Sequence, residues 1–222
     1  FKAHGIVIAE PTNNNGVVIG YRGSTKIRFI CRGPGGHSSA GTENSACEKL
    51  ITLWHKIKEM YKGVNTEGNT PALLRLCCGE DTPISPRYGE ALVSIRIGFN
   101  SDLTSIKRDV ENLVKNTPGC EWHVIDYTKP VKVSANNSIV RALVRAILTN
   151  NLRPRLLYKY GTSDMNILYP DVTTNIAAYG PGNSELSHTA EEEISLDELM
   201  QGVNIYRDTV KEFSTIVLGS KT

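Results

Sequence analysis

Three side chains stand where a folded chain could use them for chemistry. Glu10 directly follows the apolar run Ile6-Val7-Ile8-Ala9, and His188 follows the short loop Pro181–Ser187, just before the last helical stretch. Ligands of open α/β sheets bind beyond the carboxyl ends of the strands. If the strands preceding these residues run parallel in one sheet, a carboxylate and an imidazole meet at one edge. Both are donors for zinc, which takes nitrogen and oxygen ligands and needs three or four of them. Each also has an ordinary reading: Glu10 as a turn carboxylate before Pro11-Thr12, His188 as a surface residue.

The third is His37, in Gly33-Pro34-Gly35-Gly36-His37-Ser38-Ser39, after a strand and before a helix. A phosphate loop is the weaker reading. The pattern G-x-G-x-x-G needs glycine where Ser38 stands, and the Walker pattern lacks both its spacing and its lysine. A histidine held among glycines at a helix start can instead donate a hydrogen bond to a polarised carbonyl or an oxyanion. The alternative is a histidine merely tolerated in a turn. Arg96, flanked by Ile95 and Ile97, is either solvated or clamps a carboxylate bidentately. His4, His55 and His123 read as structural, at the chain end, in a packing-dominated helix and in a strand. Cys31 is a poor nucleophile, because it lies on the apolar face of its strand and catalytic thiolates need electropositive, accessible surroundings.

These residues must be positioned by regular elements, and the hydrophobic pattern predicts them. Ile6–Ala9 reads as a strand covered on both faces. Residues 24–32 alternate, with Ile27, Phe29 and Cys31 on one side and Lys26, Arg28 and Arg32 on the other. A helical stripe follows: Cys47, Leu50, Ile51, Trp54, Ile57, Met60 and Tyr61. Strands over 72–79 and 91–99, a helix through Leu103, Ile106, Val110 and Leu113, and a strand over 121–127 complete a β-α-β-β-α-β order. That is the split βαβ arrangement of a ferredoxin-like sandwich. Beyond Pro130 come a helix through Ile139–Leu148, strands over 156–160 and 172–179, and a final helix announced by a capping box, Ser195 with Glu198. Both chain ends therefore read as one α/β domain with a mostly parallel sheet, interrupted by the sandwich.

Composition narrows the function classes. Twenty-five Lys and Arg stand against 23 Asp and Glu in 222 residues, a net charge of +2, with no long run of like charge. This is not the footprint of a nucleic-acid binder. No stretch approaches the ~18 apolar residues of a membrane span, and no signal peptide is visible. Five cysteines, one vicinal pair (Cys77-Cys78) and no C-x-x-C spacing argue against a disulfide framework or a structural zinc site. They read as small buried hydrophobes in a reducing compartment. The chain opens with Phe1 rather than Met and enters a strand at once, which reads as a piece of something longer.

In this order the motifs resemble the dinuclear-zinc amino-acylase and exopeptidase family, which includes acetylornithine deacetylase, succinyl-diaminopimelate desuccinylase and aminoacylases. The matching residues are Glu10-Pro11-Thr12, Gly20-Tyr21-Arg22-Gly23, Gly35-Gly36-His37-Ser38-Ser39, Arg96, Gly161-Thr162-Ser163-Asp164, and Gly180-Pro181-Gly182 leading to Ser187-His188-Thr189. The nearest likeness is to the archaeal-type branch that frees lysine or ornithine from an acyl or carrier-protein cap. The resemblance implies a zinc-peptidase-like α/β catalytic domain in two pieces, residues 1–20 and 129–222, around a dimerisation domain at 21–128. It implies Glu10 as ligand of one zinc and His188 of the other, with cobalt as a substitute metal. His37 would polarise the scissile carbonyl in the partner's site, Arg96 would bind the substrate carboxylate, and Thr162 and Ser163 would line the pocket. The implied setting is a cytoplasmic homodimer of lysine or arginine biosynthesis that contacts neither nucleic acid nor membrane. Its substrate would be a small N-acylated or carrier-protein-linked amino acid.

The departure is specific. The family's upstream His-x-Asp, its bridging Asp and its adjacent Glu-Glu pair have no counterpart in this sequence. Each zinc would keep one ligand, which does not hold a metal tightly. The expectation is therefore that the 222-residue chain alone neither retains the zinc pair nor hydrolyses amides. Two other readings compete: an exopeptidase of the same family, and a non-catalytic dimerising module.

Overall fold

A computed structural model describes residues 2–41, 43–62 and 67–219; Phe1 lies outside them. The chain divides into two compact units, residues 1–21 with 131–222, and residues 22–130.

In the discontinuous unit, strands from its two chain segments share one sheet. β1 (Ile6–Ala9) runs parallel to β9 (Ile176–Tyr179), and β2 (Gly16–Tyr21) runs parallel to β8 (Arg155–Lys159). Antiparallel joins are confined to Val18 opposite Ala178, and to Gly20 and Tyr21 opposite β7 (Val131–Lys132). Every residue of β2 is buried. That strand sits among β9, β8 and β7, where polar side chains would find no water. The turn-rich stretch before it conceals its start from hydropathy alone.

Helix α3 (Ser138–Thr149) starts at the Asn137 cap, whose side chain accepts from the Ile139 N–H. It buries Ile139, Val140, Ala142, Leu143, Ala146 and Ile147, the wide face expected of a helix packed on a sheet and on a second helix. That second helix is α5 (Leu196–Gly219), and a short α4 (Met165–Leu168) precedes β9. At ~1.5–3 kcal/mol per fully buried Leu, Ile or Val side chain, this face supplies much of the driving force for the unit.

The continuous unit is a four-stranded antiparallel sheet in the order β4-β5-β3-β6, made of β4 (Thr70–Cys78), β5 (Tyr88–Ile97), β3 (Gly23–Arg32) and β6 (Cys120–Thr128). Helices α1 (Ala46–Met60) and α2 (Leu103–Lys115) complete the β-α-β-β-α-β order. Alternation does its expected work. Ile27, Phe29 and Cys31 of β3, and Ala91, Val93, Ile95 and Ile97 of β5, join Leu50, Leu53, Ile57, Ile106 and Val110 in one core. Both helices begin in capping boxes, Ser45 with Glu48 and Asp102 with Ser105.

Two expectations need correction here. The buried face of α1 is Ala46, Leu50, Leu53 and Ile57, whereas Ile51 and Met60 of the proposed stripe are exposed. The helix is turned so that Leu53 meets the sheet and the outer residues of a wide stripe reach water. The cysteines are also not all free thiols. Cys31 is bonded to Cys120 and Cys47 to Cys78, while Cys77 is free and exposed. Cys31 and Cys120 are register partners on β3 and β6, with Cα atoms 4.1 Å apart. Spacing in sequence could not reveal this, because the two are 89 positions apart.

Candidate active site

In the discontinuous unit, the ends of β1, β8 and β9 bring polar groups together. Residues 10–14 are zipped to residues 180–182. The Thr12 N–H donates to the Gly180 carbonyl at 2.9 Å, the Asn13 N–H to the Gly182 carbonyl at 2.9 Å, and the Thr12 hydroxyl to the Gly180 carbonyl at 3.0 Å. Gly180 is required at this seam: a Cβ there would stand 2.8 Å from the backbone oxygen of Glu10. Glu10 is thereby fixed beside the segment that continues to His188.

The electrostatics show which groups share the site. Burial pushes the Glu10 carboxyl above its ordinary value, Asp164 pushes it further, and Lys159 and His188 act against the rise. Lys159, the last residue of β8, is half-buried and donates to the Ser184 hydroxyl. Burial lowers its affinity for a proton, and Glu10 and Glu185 offset part of that. Tyr21, opposite Lys159 in the β2–β8 ladder, is 3% exposed, and among the described residues no group meets its hydroxyl at hydrogen-bonding geometry. Its phenol is pushed up by burial and by Glu10, while Ser163 faces it and works in the opposite sense.

The two motif residues Thr162 and Ser163 precede α4. Thr162 is exposed, and the Ser163 N–H donates to the Asn166 side chain at 2.8 Å. His188 is exposed and carries a backbone φ of 66°, in the left-handed region that L side chains enter at a cost. Its N–H donates to the Glu192 carboxylate at 3.0 Å. The loop before it is anchored by Glu198, whose carboxylate accepts from the Gly182 N–H at 2.7 Å. The capping box expected at Ser195 is thus half formed: Ser195 accepts from the Glu198 N–H, and the Glu198 carboxylate serves the site loop instead.

In the continuous unit, His37 is exposed and precedes a short 3-10 turn at Ser38–Ala40. Its Nδ1 lies 2.8 Å from the Ser39 hydroxyl, and its backbone bridges to Ile84. Gly35 and Gly36 hold φ values of 72° and 119°, so the turn that presents the imidazole uses conformations that glycine adopts without the cost other residues incur. Arg96 extends from the sheet face opposite the core, between buried Ile95 and Ile97, opposite Ser24 and Thr70. Its exposed guanidinium keeps the fork geometry that a carboxylate fits.

Glu10 and His188 are therefore brought to one neighbourhood, together with Asp164 and Lys159. Sequence reasoning assigned no role to Asp164, Lys159 or Tyr21. The signal that could have found Lys159 is its place at the end of an α/β strand, where Glu10 was found. The donor chemistry suits zinc, since carboxylate and imidazole are among its ligands. The donor number does not: among the described residues no three His, Cys, Asp or Glu side chains are grouped to hold an ion.

Comparison with known proteins places this geometry in context. Residues 1–212 match the model of peptidase family M20/M25/M40. The LysW-lysine/LysW-ornithine hydrolase of Saccharolobus solfataricus is 39% identical over 210 residues, covering 93% of this chain and 58% of that protein. The protein of the same name from Sulfurisphaera tokodaii is 34% identical, covering 93% and 58%. This chain thus spans less than two thirds of the length of the curated relatives it matches. Among solved structures, aminopeptidase PepT of Bacillus cereus superposes with a TM-score of 0.77 at 19% identity, covering 93% of this chain and 56% of the other. An M20-family metallo-carboxypeptidase of Sulfolobus solfataricus gives 0.71 at 15%, covering 96% and 63%. These two likenesses concern the fold.

Proposed function

The chain belongs to peptidase family M20/M25/M40, and on that premise we propose that the protein, at the length of its relatives, removes an acyl or carrier-protein cap from the amino group of lysine or ornithine. The observation that carries this reading is the grouping of Glu10, Asp164, Lys159 and His188 beyond the ends of β1, β8 and β9. The names of the 39% and 34% identical relatives favour a carrier-linked amino acid over a free peptide. Lysine or arginine biosynthesis is the setting this implies, in the cytoplasm.

Glu10 would hold one zinc and His188 the other, with remaining donors supplied from outside this chain. When bound, such ions would polarise an amide oxygen and would make hydroxide available near neutral pH. The chain's own residues bind and orient. The His37 imidazole donates a hydrogen bond to the scissile carbonyl oxygen in the site of the partner subunit, stabilising charge where it develops. Arg96 receives the carboxylate of the amino acid, and Thr162 and Ser163 line its pocket. Residues 22–130 form the dimerising unit. The 222-residue chain by itself, with one ligand per ion, is inactive.

The test is a ranking of acetyl-lysine, acetyl-ornithine, a carrier-linked lysine and a dipeptide as substrates of the zinc-loaded protein at the relatives' length. Preference for the carrier-linked amino acid, and a loss of about 100-fold or more in kcat for His37→Ala with metal retained, supports the reading. Preference for the dipeptide, or normal activity in His37→Ala, overturns it. Turnover by the 222-residue chain alone contradicts its assigned inactivity.

A further inference from the structure

The loop that presents His37 is held by covalent bonds at its margins. It leaves β3 after Arg32, one residue beyond Cys31, and enters α1 at Ala46, one residue before Cys47. Cys31 is bonded to Cys120 on the neighbouring strand, and Cys47 to Cys78 at the end of β4. The segment that follows Cys78 then returns to lie along the His37 loop. The Gly33 N–H donates to the Arg87 carbonyl at 2.9 Å, the Ser85 N–H to the Gly36 carbonyl at 2.7 Å, and the Ser38 N–H to the Pro83 carbonyl at 2.8 Å. The Ala46 N–H donates to the Pro86 carbonyl at 3.0 Å.

The disulfide is packed into this zipper. A Cβ on Gly79 would lie 3.1 Å from the Pro86 ring and 3.9 Å from the Cys47 sulfur. A continuous path of bonds runs from the Cys47–Cys78 disulfide through Ala46 and its hydrogen bond to Pro86, then to Ser85, Gly36 and His37. Among the described residues, neither loop has a helix or strand of its own beyond the Ser38–Ala40 turn.

The two bonds differ in access at one end: Cys31 is fully buried and Cys120 half-buried, whereas both Cys47 and Cys78 are half-buried. Cys47 lies in the first turn of α1, where the positive end of the helix dipole stabilises a thiolate and makes it the better leaving group. Cys77 is free and exposed, but as a strand neighbour of Cys78 it points to the other face.

We propose that the Cys47–Cys78 disulfide positions the His37 loop, and that opening this bond releases the loop while the four-stranded sheet stays folded. The thiolate of a dithiol reductant attacks the Cys78 sulfur, breaking its bond to Cys47, which leaves as thiolate and takes a proton. The second thiol of the reductant then attacks the mixed disulfide and frees Cys78. Two electrons and two protons pass to the protein, and the reductant ends as a cyclic disulfide. The catalytic consequence rests on the role proposed above for His37; the release of the loop does not.

Backbone hydrogen exchange on the 222-residue chain tests the release, before and after dithiothreitol, after reoxidation with diamide, and in Cys47→Ser/Cys78→Ser. Expected is exchange at least about tenfold faster at the Ser38 and Ser85 amides on opening, with Ile27 and Val93 within about twofold, and reversal on reoxidation. Unchanged loop amides, equal acceleration in loop and sheet, or free Cys47 and Cys78 thiols in the air-oxidised chain would each overturn it. Reduction of the native chain needs no substitution, so a variant that fails to fold leaves the test intact. In the longer protein, reduction should lower kcat with KM within about twofold, and should have no further effect in His37→Ala. Full sensitivity persisting in His37→Ala overturns the positioning of His37. A His37→Ala protein as active as the parent overturns the proposed role of His37 and leaves the loop measurement standing.

Discussion

The backbone of His188 offers a quantitative test of why a histidine stands there. Its φ of 66° lies where Cβ crowds the following carbonyl, at a cost of roughly 1–2 kcal/mol for an L-residue. The side chain is exposed, and the hydrogen bond to Glu192 uses the backbone N–H. Replacing the imidazole by a methyl group therefore removes little packing and keeps the strain. Replacing it by hydrogen removes the strain, against roughly 0.5–1 kcal/mol of added freedom in the unfolded chain. His188→Gly should thus be more stable than His188→Ala by about 0.5–1 kcal/mol, the reverse of the usual order. Urea unfolding followed by far-ultraviolet circular dichroism measures it. Both tryptophans, Trp54 and Trp122, lie in the 22–130 unit, so their fluorescence reports that unit separately and should not move. An alanine variant equal to or more stable than the glycine variant would refute the strain argument, and with it the inference that a costly backbone is kept for its side chain.

Other expectations follow from single contacts. Gly180→Ala places a methyl 2.8 Å from the Glu10 carbonyl, a backbone atom that cannot swing aside, and should cost about 1–3 kcal/mol by denaturant titration. Tyr21→Phe removes a buried hydroxyl with no bonding partner among the described residues and should gain about 1 kcal/mol; a loss of that size would mean that Ser163 holds it in solution. The Asp102 carboxyl is held below its ordinary value chiefly by the Ser105 N–H. It therefore contributes stability that is present above that ordinary value and lost as pH falls through the depressed one. Thermal unfolding across the acid range should be flatter in Asp102→Asn than in the parent; parallel profiles would contradict the cap.

The elements legible in the sequence were those whose pattern matches one solvent-facing side. The alternating strand β3 and the amphipathic α2 emerge from periodicity because half of each faces water. β2 did not, since a strand buried on every residue and containing Gly16 and Gly20 has no alternation to read. The rotation of α1 escaped for a related reason: its stripe was wide enough to admit Ile51 and Met60, and only the sheet decides which residues are covered. The disulfides escaped because cross-strand register is a tertiary fact. At the site, Glu10 and His188 were visible as donors at strand ends. Asp164, Lys159 and the anchoring role of Glu198 depend on which loops meet at the sheet edge, which no local pattern encodes.

The central claim is that Glu10 and His188 each hold a different ion of a zinc pair. Zinc content per subunit, by plasma mass spectrometry of the protein at the length of its relatives, measures this directly. Two ions are expected in the parent and in His37→Ala, and about one in Glu10→Gln and in His188→Ala. Two ions retained in both ligand variants, or both ions lost in His37→Ala, would contradict it.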